Sequence, residues 1–214
     1  MNKNIKPIFP NSNFKSFCYI KSVVTNPQII VGDYSYYDDS EDGPESFEKH
    51  VTHLYPFMGD KLIIGKFCSI AKGVNFMMNG ANHFMNCLST YPFGIIDEFK
   101  DLSAPFSTKE SRGDTIIGND VWIGQNATFL PGVHVGDGAI IGANSVVGKD
   151  IPAYAVAVGN PIQIKKYRFD QETIDLLLEL KWWDKDIEEI KKLVLLLSSD
   201  LSKSKEELKK LMKK

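Results

Sequence analysis

Residues 117–152 read IGNDVW, IGQNAT, FLPGVH, VGDGAI, IGANSV and VGKDIP, a run of consecutive steps of six. The first place of each step holds Ile117, Ile123, Phe129, Val135, Ile141 and Val147, all large and apolar. The fifth holds Val121, Ala127, Val133, Ala139, Ser145 and Ile151, mostly smaller. Neither the helical period of about 3.6 nor simple strand alternation sustains such a pattern. Gly stands second in five of the six steps, and each would cost a helix about 1 kcal/mol, so a helix is excluded. A short strand followed by a tight turn, repeated, satisfies the pattern. The first residue points inward, the Gly permits close backbone approach, and the fifth fits a crowded inner corner. Three steps close one triangular coil, and coils stacked about 4.8 Å apart share the core that none has alone.

Working outward, the same phase recurs at Ile64 in IGKFCS, at Ile70 in IAKGVN and more weakly at Val31 in VGDYSY. The predicted organisation is an N-terminal segment 1–30, a parallel β-helix 31–164 and a C-terminal helical tail 165–214. Two stretches break the register. Residues 37–61 begin acidic and carry His50, His53 and Tyr55, while residues 80–112 are rich in Pro, Ser, Gly and aromatic side chains. Long excursions from a regular scaffold are where function is usually carried. After Asn160-Pro161 the pattern becomes helical: Asp170 and Asp184 are expected to cap two helices, and Ser204 with Glu207 forms a capping box before a third.

The chain has 214 residues, 43% apolar and 24% charged, an ordinary globular composition. Lys and Arg number 25 against 27 Asp and Glu, giving a net charge of -2, which supplies no field for nucleic acid or anionic membrane. The opening MNKNIKPIFP has no apolar core of a leader, and no stretch approaches the roughly 18 apolar residues of a spanning helix. Cys18, Cys68 and Cys87 are odd in number and share no metal spacing. They suit a reducing cytoplasm, the expected location.

The hexads resemble those of hexapeptide-repeat acyltransferases, which implies a left-handed parallel β-helix. The stretches VGDYSYYD, GDKLIIGKFCSI, MNGANH, STYPF, GDTIIGNDVWIG, PGVHVGDGAIIGANSVV, RFDQETI and LKWW together resemble the xenobiotic acetyltransferases over about residues 17–190. NGANH is more similar to the streptogramin A acetyltransferases than to type B chloramphenicol acetyltransferases, which tend to carry Gln-Gly before the His. The resemblance implies acetyl transfer from acetyl-CoA to an antibiotic hydroxyl, in a homotrimer with sites between neighbouring β-helices. It departs at Phe84, where relatives usually have Arg.

A hydroxyl attacks a thioester poorly until its proton is removed, and an imidazole with a pKa near 6.5 can take that proton and return it to the thiolate. The resemblance assigns this role to His83. Asn82 and Phe84 beside it are expected on the substrate side of the site: Asn82 suits a turn, and Phe84 is expected to anchor the loop by burial, the alternative being that the usual Arg shapes the acceptor pocket and its loss changes the acceptor. Tyr36 and Tyr55 correspond to family positions lining the acceptor pocket, where their faces could pack on a macrocycle. Trp122, at an outward-pointing sixth place, corresponds to a wall of the acyl site. Gly142, Ala143 and Gly159 are expected to face the pantetheine arm with backbone groups, and Lys149, Lys165, Lys166 and Arg168 its phosphates. No metal is expected, since none of the four histidines shares the five-residue spacing seen in β-helix zinc hydrases. GANSVVGKD at 142–150 imitates a phosphate loop but is one residue too long and ends in Asp150. A Cys87 nucleophile is unnecessary when the donor is already an activated acyl group.

Overall fold

The computed structural model describes residues 8–104 and 111–212; residues 1–7 of the expected N-terminal segment and 105–110 of the second insertion lie outside it. The chain winds a left-handed parallel β-helix with three faces. The first stacks Ile29–Val31, Leu62–Ile64, Thr115–Ile117 and His134–Val135, all parallel. The second stacks Tyr36–Asp38, Ser69–Ala71, Trp122–Ile123, Ile140–Ile141 and Ala155–Val158 in the same sense. The third stacks Val51–Thr52, Asn75–Met77, Thr128–Phe129 and Val146–Val147. Antiparallel strands close both ends of the second face: Phe17–Tyr19 on Tyr36–Asp38, and Gln163–Tyr167 on Ala155–Val158.

The hexad logic holds at every step. First-place residues from Ile117 to Val147 and fifth-place residues from Val121 to Ile151 are all buried, and all but Ser145 join one apolar core. The second-place glycines answer to close approach between coils. A Cβ on Gly65 would lie 2.5 Å from the carbonyl oxygen of Gly118 in the next coil, a separation that real Cβ atoms do not tolerate. The fourth place carries a further rule. Asp120, Asn126 and Asn144 have φ of 55–58° and Gly132 and Gly138 have φ of 71° and 67°. These five turns pass through the left-handed region that Asn, Asp and Gly enter most readily, while Asp150 at the sixth does not. Side chains also link coils: Asn119 and Asp137, eighteen residues apart, pair through a 2.6 Å bond from the Asn119 N–H to Asp137 Oδ1.

Several boundaries differ from the sequence expectation. Tyr36–Asp38 and Val51–Thr52 are strands of the first coil, so the expected 37–61 insertion divides into an excursion holding a 3₁₀ segment, Pro44–His50, and a shorter one before Leu62. Thr52 keeps its place because it pairs with Met77. Strand Gln163–Tyr167 likewise carries β-structure into the expected tail.

The tail is helical after that strand. Helix α1, Gln171–Leu180, is capped by Asp170, which accepts from the Thr173 N–H. Helix α2, Ile187–Ser198, is capped by Asp186 and not by Asp184. Asp184 instead ends a 3₁₀ turn, Trp182–Asp184, and pairs with Lys66 at 2.8 Å, while Trp182 packs on Phe67 at 4.7 Å. These contacts dock the tail on the edge between the first and second faces and use up the Asp184 carboxylate. Helix α3, Leu201–Met212, begins before Ser204. The expected capping residue therefore lies within the helix, and its hydroxyl donates back to the Asp200 carbonyl.

Candidate active site

The second insertion leaves the third face after Met77 and rejoins the first face at Thr115, so its root lies on the edge where these two faces meet. A 3₁₀ turn, Asn79–Ala81, begins it. Asn79 is fully buried and its amide is fully used. Its Nδ2 donates to Asp60 Oδ2 and to the Gly113 carbonyl, both at 2.7 Å, and its Oδ1 accepts from the Arg112 N–H at 2.7 Å and from Asn82 Nδ2 at 3.3 Å. Asn79 N–H also donates to Asp60 Oδ2 at 2.9 Å. One side chain thus joins both roots of the loop to the coil below and to Asn82.

His83 follows directly and is exposed. Its Nδ1 stands 2.7 Å from the Thr90 carbonyl oxygen. A carbonyl only accepts, so in the neutral imidazole Nδ1 carries the proton and Nε2 presents its lone pair. That is the tautomer a general base requires. Tyr55, 41% exposed, stacks on Phe57 at 5.3 Å and lies against the start of the loop. A Cβ on Gly80 would fall 2.4 Å from Tyr55 Cδ2. Tyr55, Asn82, His83 and Phe84 therefore gather at one edge. The expectation for Phe84 needs correction: its ring is 40% exposed, and the root is held by the Asn79 hydrogen bonds rather than by burial of that ring. Neither Asn79 nor Asp60 was named from sequence, since the two meet only through coil stacking.

Tyr36 and Trp122 lie elsewhere. Tyr36 registers with Ser69, Ser69 with Trp122, Trp122 with Ile140 and Ile140 with Val156. This outward ladder runs up the second face, the one face that does not meet the His83 edge. Trp122 is 56% exposed on it. Gly142, Ala143 and Gly159 occupy the edge between the second and third faces. The N–H groups of Gly142 and Gly159 are engaged by Ala157 O and Ser145 Oγ. Ala143 is exposed.

The expected cation cluster divides three ways. Lys165 and Lys166 are exposed on the strand ending the second face, and Lys149 lies exposed beyond the third-face strand Val146–Val147. Arg168 reaches the edge between the first and second faces, where it donates to the Gly138 carbonyl at 2.7 Å and pairs with Asp120 at 3.3 Å. Burial pushes the Asp120 carboxyl up and Arg168 pulls it back, a use of the guanidinium that seals the coil rather than binding phosphate. His50 has a structural partner too, with Nε2 3.0 Å from the buried Tyr37 hydroxyl. Among the described residues no three His, Cys, Asp or Glu converge as a metal would require, and no helix is long and apolar enough to cross a membrane.

The family described as "Bacterial transferase hexapeptide (six repeats)" matches residues 114–149. The chain is 52% identical to a "Probable macrolide acetyltransferase" of Lysinibacillus sphaericus over 71% of its length and 85% of that protein's. It is 43% identical to a "Chloramphenicol acetyltransferase" of Agrobacterium fabrum, covering 82% of this chain and 85% of the relative. The chain belongs to the hexapeptide-repeat xenobiotic acetyltransferases. A third such acetyltransferase, the "Virginiamycin A acetyltransferase" of Staphylococcus aureus, is 44% identical over 86% of this chain and 82% of its own. As a xenobiotic acetyltransferase the protein is an acetyl-CoA-dependent acyltransferase.

Proposed function

We propose that the protein transfers the acetyl group of acetyl-CoA to a hydroxyl of a streptogramin A-type antibiotic, with His83 as general base. The observation that carries the base assignment is the His83 geometry: Nδ1–H bound to the Thr90 carbonyl and Nε2 left as acceptor on an exposed loop; the acceptor class is supported by the NGANH motif at 79–83. In this mechanism Nε2 takes the hydroxyl proton as oxygen attacks the thioester carbon. The tetrahedral intermediate then collapses, the C–S bond breaks, and the imidazolium returns the proton to the CoA thiolate. No acetyl-enzyme is needed. Tyr55 would lie along the acceptor, and Trp122 would wall the acyl group. Gly142, Ala143 and Gly159 are the candidates for the donor's arm, and the exposed Lys149, Lys165 and Lys166 for its phosphates.

The active unit in this reading is a homotrimer. Tyr55 and His83 sit on one edge of the prism while Tyr36 and Trp122 sit on the face opposite. A single chain does not close them around one acceptor, whereas cyclic packing sets the edge of one copy against the second face of the next. The exposed loop residues Met85, Leu88, Ile95 and Leu102 fit burial against such a neighbour. The identity with a macrolide acetyltransferase favours a second acceptor class, a macrolide hydroxyl. Turnover of acetyl-CoA against virginiamycin M, erythromycin, chloramphenicol and simple sugars separates these. Preference for virginiamycin M is expected, and turnover of sugars alone would overturn the antibiotic reading.

A further inference from the structure

We propose that Asp60 and Asn79 are positioning residues for His83, setting where the base stands without touching substrate. This rests on the reading of His83 as the base. The loop from residue 79 to residue 113 is exposed over most of its described length, so its position is decided at its roots. There Asn79 and Asp60 are 0% and 3% exposed. Asn79 follows the outgoing strand, and its side chain bonds the returning residues Arg112 and Gly113, Asp60 of the coil below, and Asn82 beside the base. An amide is the group this place demands. It needs two N–H donors and an oxygen accepting twice, which Asp, Ser or Leu cannot provide.

Asp60 is placed with equal economy and one omission. Its Oδ2 accepts both Asn79 bonds, while its Oδ1 is buried with no hydrogen-bond partner. A residue that only filled space here would not leave a carboxyl oxygen buried and unpaired. What the carboxylate offers is one oxygen that accepts both Asn79 donors, and hydrogen bonds to a charged acceptor are stronger than amide-to-amide ones. The energetic stake is the register of the loop root: with Asn79 loosened, Asn82 and then His83 shift against the acceptor. A displacement of about 1 Å between reacting groups costs on the order of 10²-fold in rate.

The test uses full-length Asn79→Ala, Asp60→Asn, His83→Ala and the double variant Asn79→Ala with His83→Ala. The steady-state arm uses whichever of virginiamycin M, erythromycin and chloramphenicol the wild type acetylates. Asn79→Ala is expected to lower kcat at least about tenfold with KM for acetyl-CoA unchanged. The double variant should be no slower than His83→Ala, because a residue acting through the base has nothing left to position. The second arm is hydrogen exchange, which needs no acceptor. Residues 79–91 should exchange faster in Asn79→Ala and in the milder Asp60→Asn while residues 115–158 keep their protection. Wild-type kcat, unchanged loop exchange, or a further loss in the double variant would each overturn the proposal. Full activity in His83→Ala would instead overturn the base assignment itself, a separate result.

Discussion

Gly65 and Gly148 hold the same second place of their hexads, yet their surroundings differ. A Cβ on Gly65 meets the Gly118 backbone at 2.5 Å, whereas on Gly148 it meets only the mobile end of Leu130 at 3.1 Å. Gly65→Ala should therefore destabilise by about 1–3 kcal/mol, the usual range for overpacking, and Gly148→Ala by well under 1 kcal/mol. Urea unfolding of the two variants checks the difference. At the same scale the cysteines divide cleanly. Burial pushes the Cys68 thiol up to about 12, and burial with nearby Glu45 does the same to Cys18, while Cys87 is exposed on the loop. A disulfide reagent should titrate one thiol in the native protein, lost in Cys87→Ser, and all three cysteines of the chain after denaturation. At this scale the first and fifth hexad places could be read from sequence, because each follows from local spacing, and so could the placing of His83 on a loop that breaks the register. Asp60 and Asn79 could not: nineteen residues separate them, and only the stacking of coils brings them together.

The elements of the tail carry a pH dependence whose sign follows from Asp170. A hydrogen bond from Lys205, with those from Thr173, holds the Asp170 carboxyl well below the usual carboxylate range. Lys209 and Lys205 likewise lower Glu172. Depressed carboxyl values mean stability that is present above the unfolded value of about 4 and lost as pH falls through the folded one. These pairs join α3 to α1, so protection of 201–212 against hydrogen exchange should fall in acid below about pH 4, before the coil amides respond. Asp170→Asn should keep the α1 cap, since its amide oxygen still accepts from Thr173, but loosen α3 at neutral pH. Equal protection of α3 in wild type and variant would remove the tether. The existence of the helices was legible from their apolar spacing; the α2 cap is Asp186, two residues beyond Asp184, and α3 begins at Leu201, three residues before Ser204. Asp184 is drawn to Lys66, one hundred and eighteen residues away, a partner that no local window contains.

For the whole molecule, sequence period was enough for the β-helix, because six-residue spacing admits few other solutions. The site was legible only as a set of residues. Its division between the His83 edge and the Trp122 face comes from the winding of the coil, and the separation of Lys149, Lys165 and Arg168 comes from their different edges. That division leads to the assembly: sedimentation equilibrium should give a homotrimer, and a fully active monomer would contradict the shared site. The most direct test mixes two inactive proteins, one carrying His83→Ala and the other Tyr36→Ala with Trp122→Ala, refolded together at equal amounts. If His83 of one copy works against the second face of its neighbour, random trimers place intact halves together at about a quarter of their interfaces. The mixture should then regain about that fraction of wild-type acetyl transfer, while activity that stays at the level of the two parents would contradict the account.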